Sequence, residues 1–119
     1  MRSVPFTIPS LFGLGQCHGI VYDEGDHFRF EYQIKDSISG IIKSAVKQVK
    51  IPVQKITSVQ LIKGWLGTTW MGVKVVMQAS SFETFKDIPG MTHGKIELEV
   101  TKANAAQAEE FVNGLYSNE

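Results

Sequence analysis

The chain has 119 residues, 43% of them hydrophobic and 20% charged, with equal numbers of basic and acidic side chains. This length allows one domain with one hydrophobic core, and the composition is that of a folded globule and not of a disordered tail. No apolar run reaches the ~18 to 20 residues that a membrane-spanning helix needs. We expect a cytoplasmic protein, because the first residues lack a secretory-signal pattern and the single cysteine, Cys17, excludes an intrachain disulfide.

The charges are unevenly placed along the chain. Residues 37–82 contain six lysines and no acid, whereas residues 1–36 and 83–119 each contain more acidic than basic side chains. The middle of the chain is therefore a candidate surface for anionic partners.

The first residues are predicted to be an irregular lead-in. Residues 1–15 contain several apolar side chains, but Pro5, Pro9 and two glycines interrupt them without a clear period. We expect this segment to pack across the core or against a neighbouring subunit.

A β-hairpin is the clearest pattern in the sequence. Residues 16–22 are a short predicted strand, and residues 23–26, Asp-Glu-Gly-Asp, have the composition of a turn. From Phe28 to Ile34, apolar side chains then alternate with polar ones, as in a half-buried strand.

Further strands are predicted at residues 47–51, 56–62 and 73–79. Pro52 separates the first two, because it has no amide to donate to a ladder. Residues 64–72 are a glycine-hinged loop that carries both tryptophans of the chain, and residues 80–93 are a long polar connection.

The last quarter of the chain is predicted to be a strand followed by a helix. Residues 94–100 alternate as a strand, and residues 104–116 form an amphipathic helix. The apolar stripe of this helix consists of Ala108, Phe111, Val112 and Leu115. Asn104 and Gln107 have the spacing of a reciprocal N-terminal cap. Because a helix of three to four turns is marginal alone in water, its stripe must pack on the strands.

The order of these elements resembles that of bacterial pleckstrin-homology-like (PH-like) domains. The resemblance covers residues 16–116 and rests on the phrase IPVQKITSV at residues 51–59, the Gly64 turn, and a final strand that leads into AEEFV at residues 108–112. It implies a single PH-like domain over residues 1–119. That domain is mainly β, a sandwich or partly open barrel of about seven antiparallel strands in two nearly orthogonal sheets, capped by one C-terminal α-helix. The resemblance is also compatible with homo-oligomers.

One loop departs from the family's pattern. Relatives that bind phosphoinositides carry several Lys and Arg side chains between their first two strands, where these side chains grip the headgroup phosphates. The matching loop here, residues 23–26, has three acids and no base. This composition argues against the usual lipid site.

The lysines of the middle segment are the candidate anion-binding residues: Lys43, Lys47, Lys50 and Lys55. They could attract phosphate, an anionic lipid surface or nucleic acid, although no arginine accompanies them to give a bidentate phosphate grip. The alternative is a solvated strand face whose lysines prevent edge-to-edge aggregation. We expect no nucleic-acid partner.

The candidate interaction residues are Trp65, Leu66 and Trp70. Large aromatic rings are usually core, interface or membrane-belt residues, so we expect these to be buried under the sandwich edge or in a subunit contact.

No catalytic or metal-binding constellation is evident. The three histidines lack paired ligand spacing, and Cys17 and His18, as neighbours on a strand, should point to opposite faces. We therefore expect no cofactor and no metal, and a non-enzymatic binding or assembly module that acts by protein interaction or self-association. The alternative function is the binding of anionic lipid at the lysine face, or of a small ligand inside the barrel.

Overall fold

The computed structural model describes residues 2–8, 15–35, 45–63, 72–88 and 94–116. These ranges contain seven β-strands and one α-helix. The strands are β1 (Arg2–Ile8), β2 (Gln16–Asp23), β3 (His27–Lys35), β4 (Lys47–Pro52), β5 (Ile56–Lys63), β6 (Val73–Ala79) and β7 (Lys95–Val100). The helix is α1 (Ala105–Tyr116), and short 3₁₀ turns at Val53–Lys55 and Lys102–Asn104 precede β5 and α1. Within these ranges, no helix is long and apolar enough to cross a membrane.

All seven strands are antiparallel and follow one another in the order β4-β3-β2-β1-β7-β6-β5. The pairing of β1 with β7 is limited to Thr7 and Glu99, whereas β1 and β2 pair along the full length of β1. The sheet therefore has two limbs, β4-β3-β2-β1 and β7-β6-β5, which meet at this single pair. The predicted fold class, a mainly β structure of about seven antiparallel strands capped by one C-terminal helix, is confirmed.

The predicted irregular lead-in is wrong for its first half, because β1 lies at the centre of the sheet. Val4, Phe6 and Ile8 are buried and alternate with partly exposed residues. Pro5 is tolerated because β1 is paired with β2 but not with β7 at that position, so one side of the backbone needs no donor.

The placement of β1 also changes which residues join the first two strands. Residues 24–26 join β2 to β3, and the connection between β1 and β2 is residues 9–15. This connection contains no Lys or Arg either.

The predicted β2–β3 hairpin is confirmed in detail. Its strands pair from Gln16 with Lys35 to Asp23 with Phe28. Gly25 has a φ of 96°, a conformation that glycine adopts without strain, and its amide donates to Asp23 Oδ1 at 3.0 Å.

Buried side chains from both limbs and the helix form one core. Phe28 of β3 lies against Phe111 of α1, with ring centroids 5.7 Å apart. Residues 80–88, which belong to the predicted polar connection, also contribute to this core, since Phe85 and Ile88 are buried. The sequence pattern missed them because they lie in consecutive turns that have no regular period.

The helix packs on β1 of one limb and on β5 and β6 of the other. Gln107 Nε2 donates to the Ser3 carbonyl of β1 at 2.8 Å, which satisfies an acceptor that β7 leaves unpaired. The predicted reciprocal cap is therefore wrong. Asn104 instead belongs to the preceding 3₁₀ turn, and its side-chain amide donates to Thr101 Oγ1 at 3.2 Å.

Candidate functional site

The structure places only part of the predicted site residues. Lys47 and Lys50 lie on β4 and Lys55 follows it, and all three are exposed. Lys43 lies outside the described residues, and so do the three predicted interaction residues, Trp65, Leu66 and Trp70.

The sheet has two terminal strands, β4 and β5. A terminal strand carries backbone amides and carbonyls on one side that no strand of its own sheet uses, so it can accept a further strand. The two edges differ in charge. β4 has exposed Lys47 and Lys50, whereas the second half of β5, residues 60–63, has one charged side chain, Lys63.

A groove of about 530 Å³ runs along the first half of β5. Its walls include Ile56 and Val59 of β5, Phe28 of β3 and Leu115 of α1. Arg2 contributes a guanidinium to the rim. The groove therefore combines apolar walls with a polar end at Arg2 and Asp23, and the polar side chains of Thr57 and Ser58 also line it, a mixture that is common in small-molecule pockets.

Arg2 holds the polar end of this groove in place. Its Nη2 donates to Asp23 Oδ2 at 3.1 Å and to the Gly114 carbonyl of α1 at 3.2 Å. Its Nε is buried and has no partner in the described residues. A Cβ on Gly114 would lie 2.2 Å from Arg2 Cζ, so glycine leaves room for the guanidinium. Sequence reasoning missed this cluster because its members are up to 112 positions apart.

A second groove, of about 370 Å³, lies between β4 and residues 80–88. Lys50, Lys55 and Lys86 line it together with hydroxyl groups and two carboxylates. The hydroxyls belong to Ser80, Ser81 and Thr84, and the carboxylates to Glu83 and Asp87. Lys86 was not among the predicted anion-binding residues, because it lies in the chain's acidic third and joins the others only in the fold.

Charged side chains on the β2–β3 hairpin form a linked network. Glu24 accepts from Arg29 Nε at 2.8 Å and contacts His27 Nε2 at 3.0 Å. The hydrogen bond from Arg29 lowers the pKa of Glu24 against a smaller opposing effect of burial. Arg29 also bonds Glu31 and lies 4.0 Å above the ring of Tyr22. Since Glu24 and Glu31 share one guanidinium, this network keeps a net negative charge and is not a site for an anionic ligand.

Cys17 and His18 point to opposite faces of β2, as predicted. Cys17 is fully buried, and burial raises the pKa of its thiol to about 12. His18 instead contacts Thr7 Oγ1 at 3.3 Å and Gln16 Oε1 at 3.0 Å, and burial followed by the charge of Lys35 lowers its pKa. The thiol and imidazole therefore do not form a nucleophile and base pair. The described residues also contain no group of three or more His, Cys, Asp or Glu side chains that could hold a metal ion.

Comparison with known proteins finds no matching family model, no similar curated protein and no similar solved structure.

Proposed function

We propose that this protein is a non-enzymatic binding and assembly module that self-associates through the second half of β5 and the loop that follows it. The observation that carries the proposal is the character of this edge. β5 is a terminal strand, and its Ile62 side chain is 47% exposed although it is large and apolar. Apolar surface of this kind on a strand edge favours contact with another protein.

The charges on β5 permit two copies to pair. Antiparallel association of two identical edges gives a two-fold interface, in which β5 of one copy pairs with β5 of the other copy. Lys63 is the one charge in residues 60–63, and Glu109 of α1 already pairs with it at 3.3 Å. Few like charges would therefore oppose one another across the interface.

The loop after β5 supplies the aromatic residues that such an interface uses. Trp65 and Leu66 follow two and three positions after Lys63, the last residue of β5. Tryptophan is enriched among the residues that dominate binding energy at protein interfaces. Trp65, Leu66 and Trp70 therefore remain our predicted interaction residues.

The affinity of self-association should respond to charge placed on this edge. We would measure sedimentation velocity over a concentration series for the wild type, for Gln60→Lys with Ile62→Lys, and for Trp65→Ala with Trp70→Ala. The control is Ala106→Lys with Asn113→Lys, which adds the same two charges to exposed positions of α1. We expect a wild type and a control that dimerise, and two monomeric variants. The proposal would be disproved if the wild type stayed monomeric at every soluble concentration. It would also be disproved if the β5 variant dimerised as the wild type does.

A second candidate function is the binding of a small apolar ligand in the groove between β5 and α1. Its volume of about 530 Å³ and its apolar walls favour this function, whereas core side chains fill the space between the two limbs. Binding of anionic lipid at the lysine face is the remaining alternative. Flotation with phosphatidylserine liposomes at low and high salt tests it, because such binding is electrostatic and weakens with salt.

A further inference from the structure

In the part of the chain that the structure describes, the lysines around β4 outnumber the acids beside them, which are Glu83 and Asp87. Within the described ranges, Lys63 pairs with Glu109, and Lys74 and Lys95 both pair with Glu97. No ion pair in those ranges involves the four lysines beside β4. These are Lys47, Lys50, Lys55 and Lys86. Their common location makes one edge of the molecule electropositive although the chain as a whole is neutral.

The same lysines lie beside a strand edge with which no described strand pairs. β4 pairs with β3 from Lys47 to Pro52 and is the last strand on its side of the sheet. Its other side faces the groove shared with residues 80–88, which continues past Lys47 as a shallower depression beside Tyr32. Pro52 has no amide, so the part of the edge that can pair with a further strand is residues 47–51.

We propose that this edge binds an acidic peptide in an extended conformation, which adds to the sheet as a strand next to β4. Backbone hydrogen bonds to residues 47–51 would give affinity, and the lysines would select for acidic side chains. This surface is separate from the β5 edge, so the proposal does not depend on self-association.

The alternation along β4 specifies where the acids should lie. Val49 is half-buried and Ile51 buried, so these two residues face the core, and Gln48 and Lys50 face outward. A residue directly opposite Lys50 on the added strand would lie on the outer face, where a carboxylate is favoured. A residue opposite Val49 would lie on the inner face, where an apolar side chain is favoured. Opposite residues 48–51 the expected ligand therefore alternates acidic and apolar residues, and Lys47, which shares the face of Val49 but is exposed, favours a further acid at the end of that run.

The lysines also argue against a second copy of this chain on β4. Antiparallel pairing of two β4 edges would bring Lys47 and Lys50 of one copy close to the same residues of the other, and like charges across strands are destabilising.

A phosphate group or an anionic membrane fits this groove less well than a peptide does. Glu83 and Asp87 line the groove beside the lysines and repel dense negative charge. No arginine contributes to the groove, so bidentate recognition of phosphate is missing among its described residues. A peptide, by contrast, uses the backbone edge as well as the charges.

Fluorescence anisotropy with a labelled (Glu-Val)₄ octapeptide tests the proposal on the full chain. Two further peptides carry N-methyl groups on the amides of either the glutamates or the valines, which removes half of the backbone donors without changing the charge. We expect the parent peptide to bind and one of the methylated peptides to lose at least about tenfold in affinity. Equal binding of all three peptides would mean that charge alone is recognised and would overturn strand addition.

Matched variants localise the binding. Lys50→Glu with Lys86→Glu should weaken binding of the parent peptide by at least about tenfold. The control, Lys102→Glu with Ala106→Glu and Asn113→Glu, makes the same change of net charge at exposed positions outside the groove. It should leave binding within about twofold of the wild type once both variants are shown to be folded by circular dichroism. No binding of the parent peptide, equal loss in the two variants, or binding of phosphatidylserine vesicles without binding of the peptide would each overturn the proposal.

Discussion

Replacement of Phe111 by alanine should remove a large part of the stability of the protein. The ring is fully buried and contacts Phe28 across the space between α1 and β3. A buried aromatic side chain removes ~150 to 250 Å² from water, and at ~25 cal/mol per Å² this gives ~4 to 6 kcal/mol for the whole residue. Alanine retains part of that area, and Phe→Ala changes in cores cost ~3 to 5 kcal/mol. We therefore expect a loss of about 4 kcal/mol from a total that is typically ~5 to 15 kcal/mol.

Urea denaturation followed by far-ultraviolet circular dichroism measures this loss directly. The control is Glu110→Ala, one residue earlier on the exposed side of α1, which should change the free energy of unfolding by less than about 0.5 kcal/mol. A double-mutant cycle with Phe28→Leu and Phe111→Leu isolates the contact between the rings, which should contribute ~0.5 to 1.5 kcal/mol. If Phe111→Ala cost less than about 1 kcal/mol, the helix would not be docked on β3 as described.

Three other predictions follow from packing and protonation. Gly19→Ala should lose ~2 to 3 kcal/mol on urea denaturation, because the new Cβ would lie 2.1 Å from a backbone oxygen of β3. Gly25→Ala should lower the free energy of unfolding by only ~1 to 2 kcal/mol, the cost of a positive φ, because a Cβ there contacts no other atom. Equal losses at Gly19 and Gly25 would contradict the described packing. Cys17 should resist iodoacetamide at pH 8 until the chain is unfolded, since burial raises its pKa to about 12. Rapid labelling of the native chain would contradict the burial of this thiol. Because the thiol ionises near pH 9.0 once the chain is unfolded, its contribution to stability should be constant below about pH 9 and should fall between about pH 9 and 12. Tyr32→Phe removes the hydroxyl that donates to the Asp87 carbonyl at 2.5 Å, so it should cost ~1 kcal/mol and speed amide exchange in residues 80–88, whereas unchanged exchange would show that this bond does not anchor the segment.

The strands and helix with a regular period could be predicted from the sequence. Alternation of buried and exposed side chains places β3 and β7, and the spacing of Ala108, Phe111 and Val112 places the buried face of α1. The prediction failed at β1, where Pro5 concealed an alternation that Val4, Phe6 and Ile8 nevertheless follow. A proline excludes a central position only for a strand that is paired on both sides along its whole length, and β1 is not such a strand.

The candidate sites were less accessible to sequence reasoning than the fold. Lys47 and Lys50 could be placed on a strand by their spacing, but their proximity to Lys86 depends on how residues 80–88 return to β4. The bonds of Arg2 to Asp23 and Gly114 join three segments that have no local relation. Local patterns predict which residues share a face of one element, whereas these sites form where different elements meet.

The position of β1 has a consequence for how the protein folds during synthesis. β1 is translated before β7 and α1, so Thr7 must wait for Glu99, and Arg2 must wait for Gly114, 112 positions later. Until then β1 has β2 as a partner but lacks its contacts with β7 and α1. Contacts this distant in sequence slow folding, so the nascent chain exposes an apolar central strand until α1 has been translated.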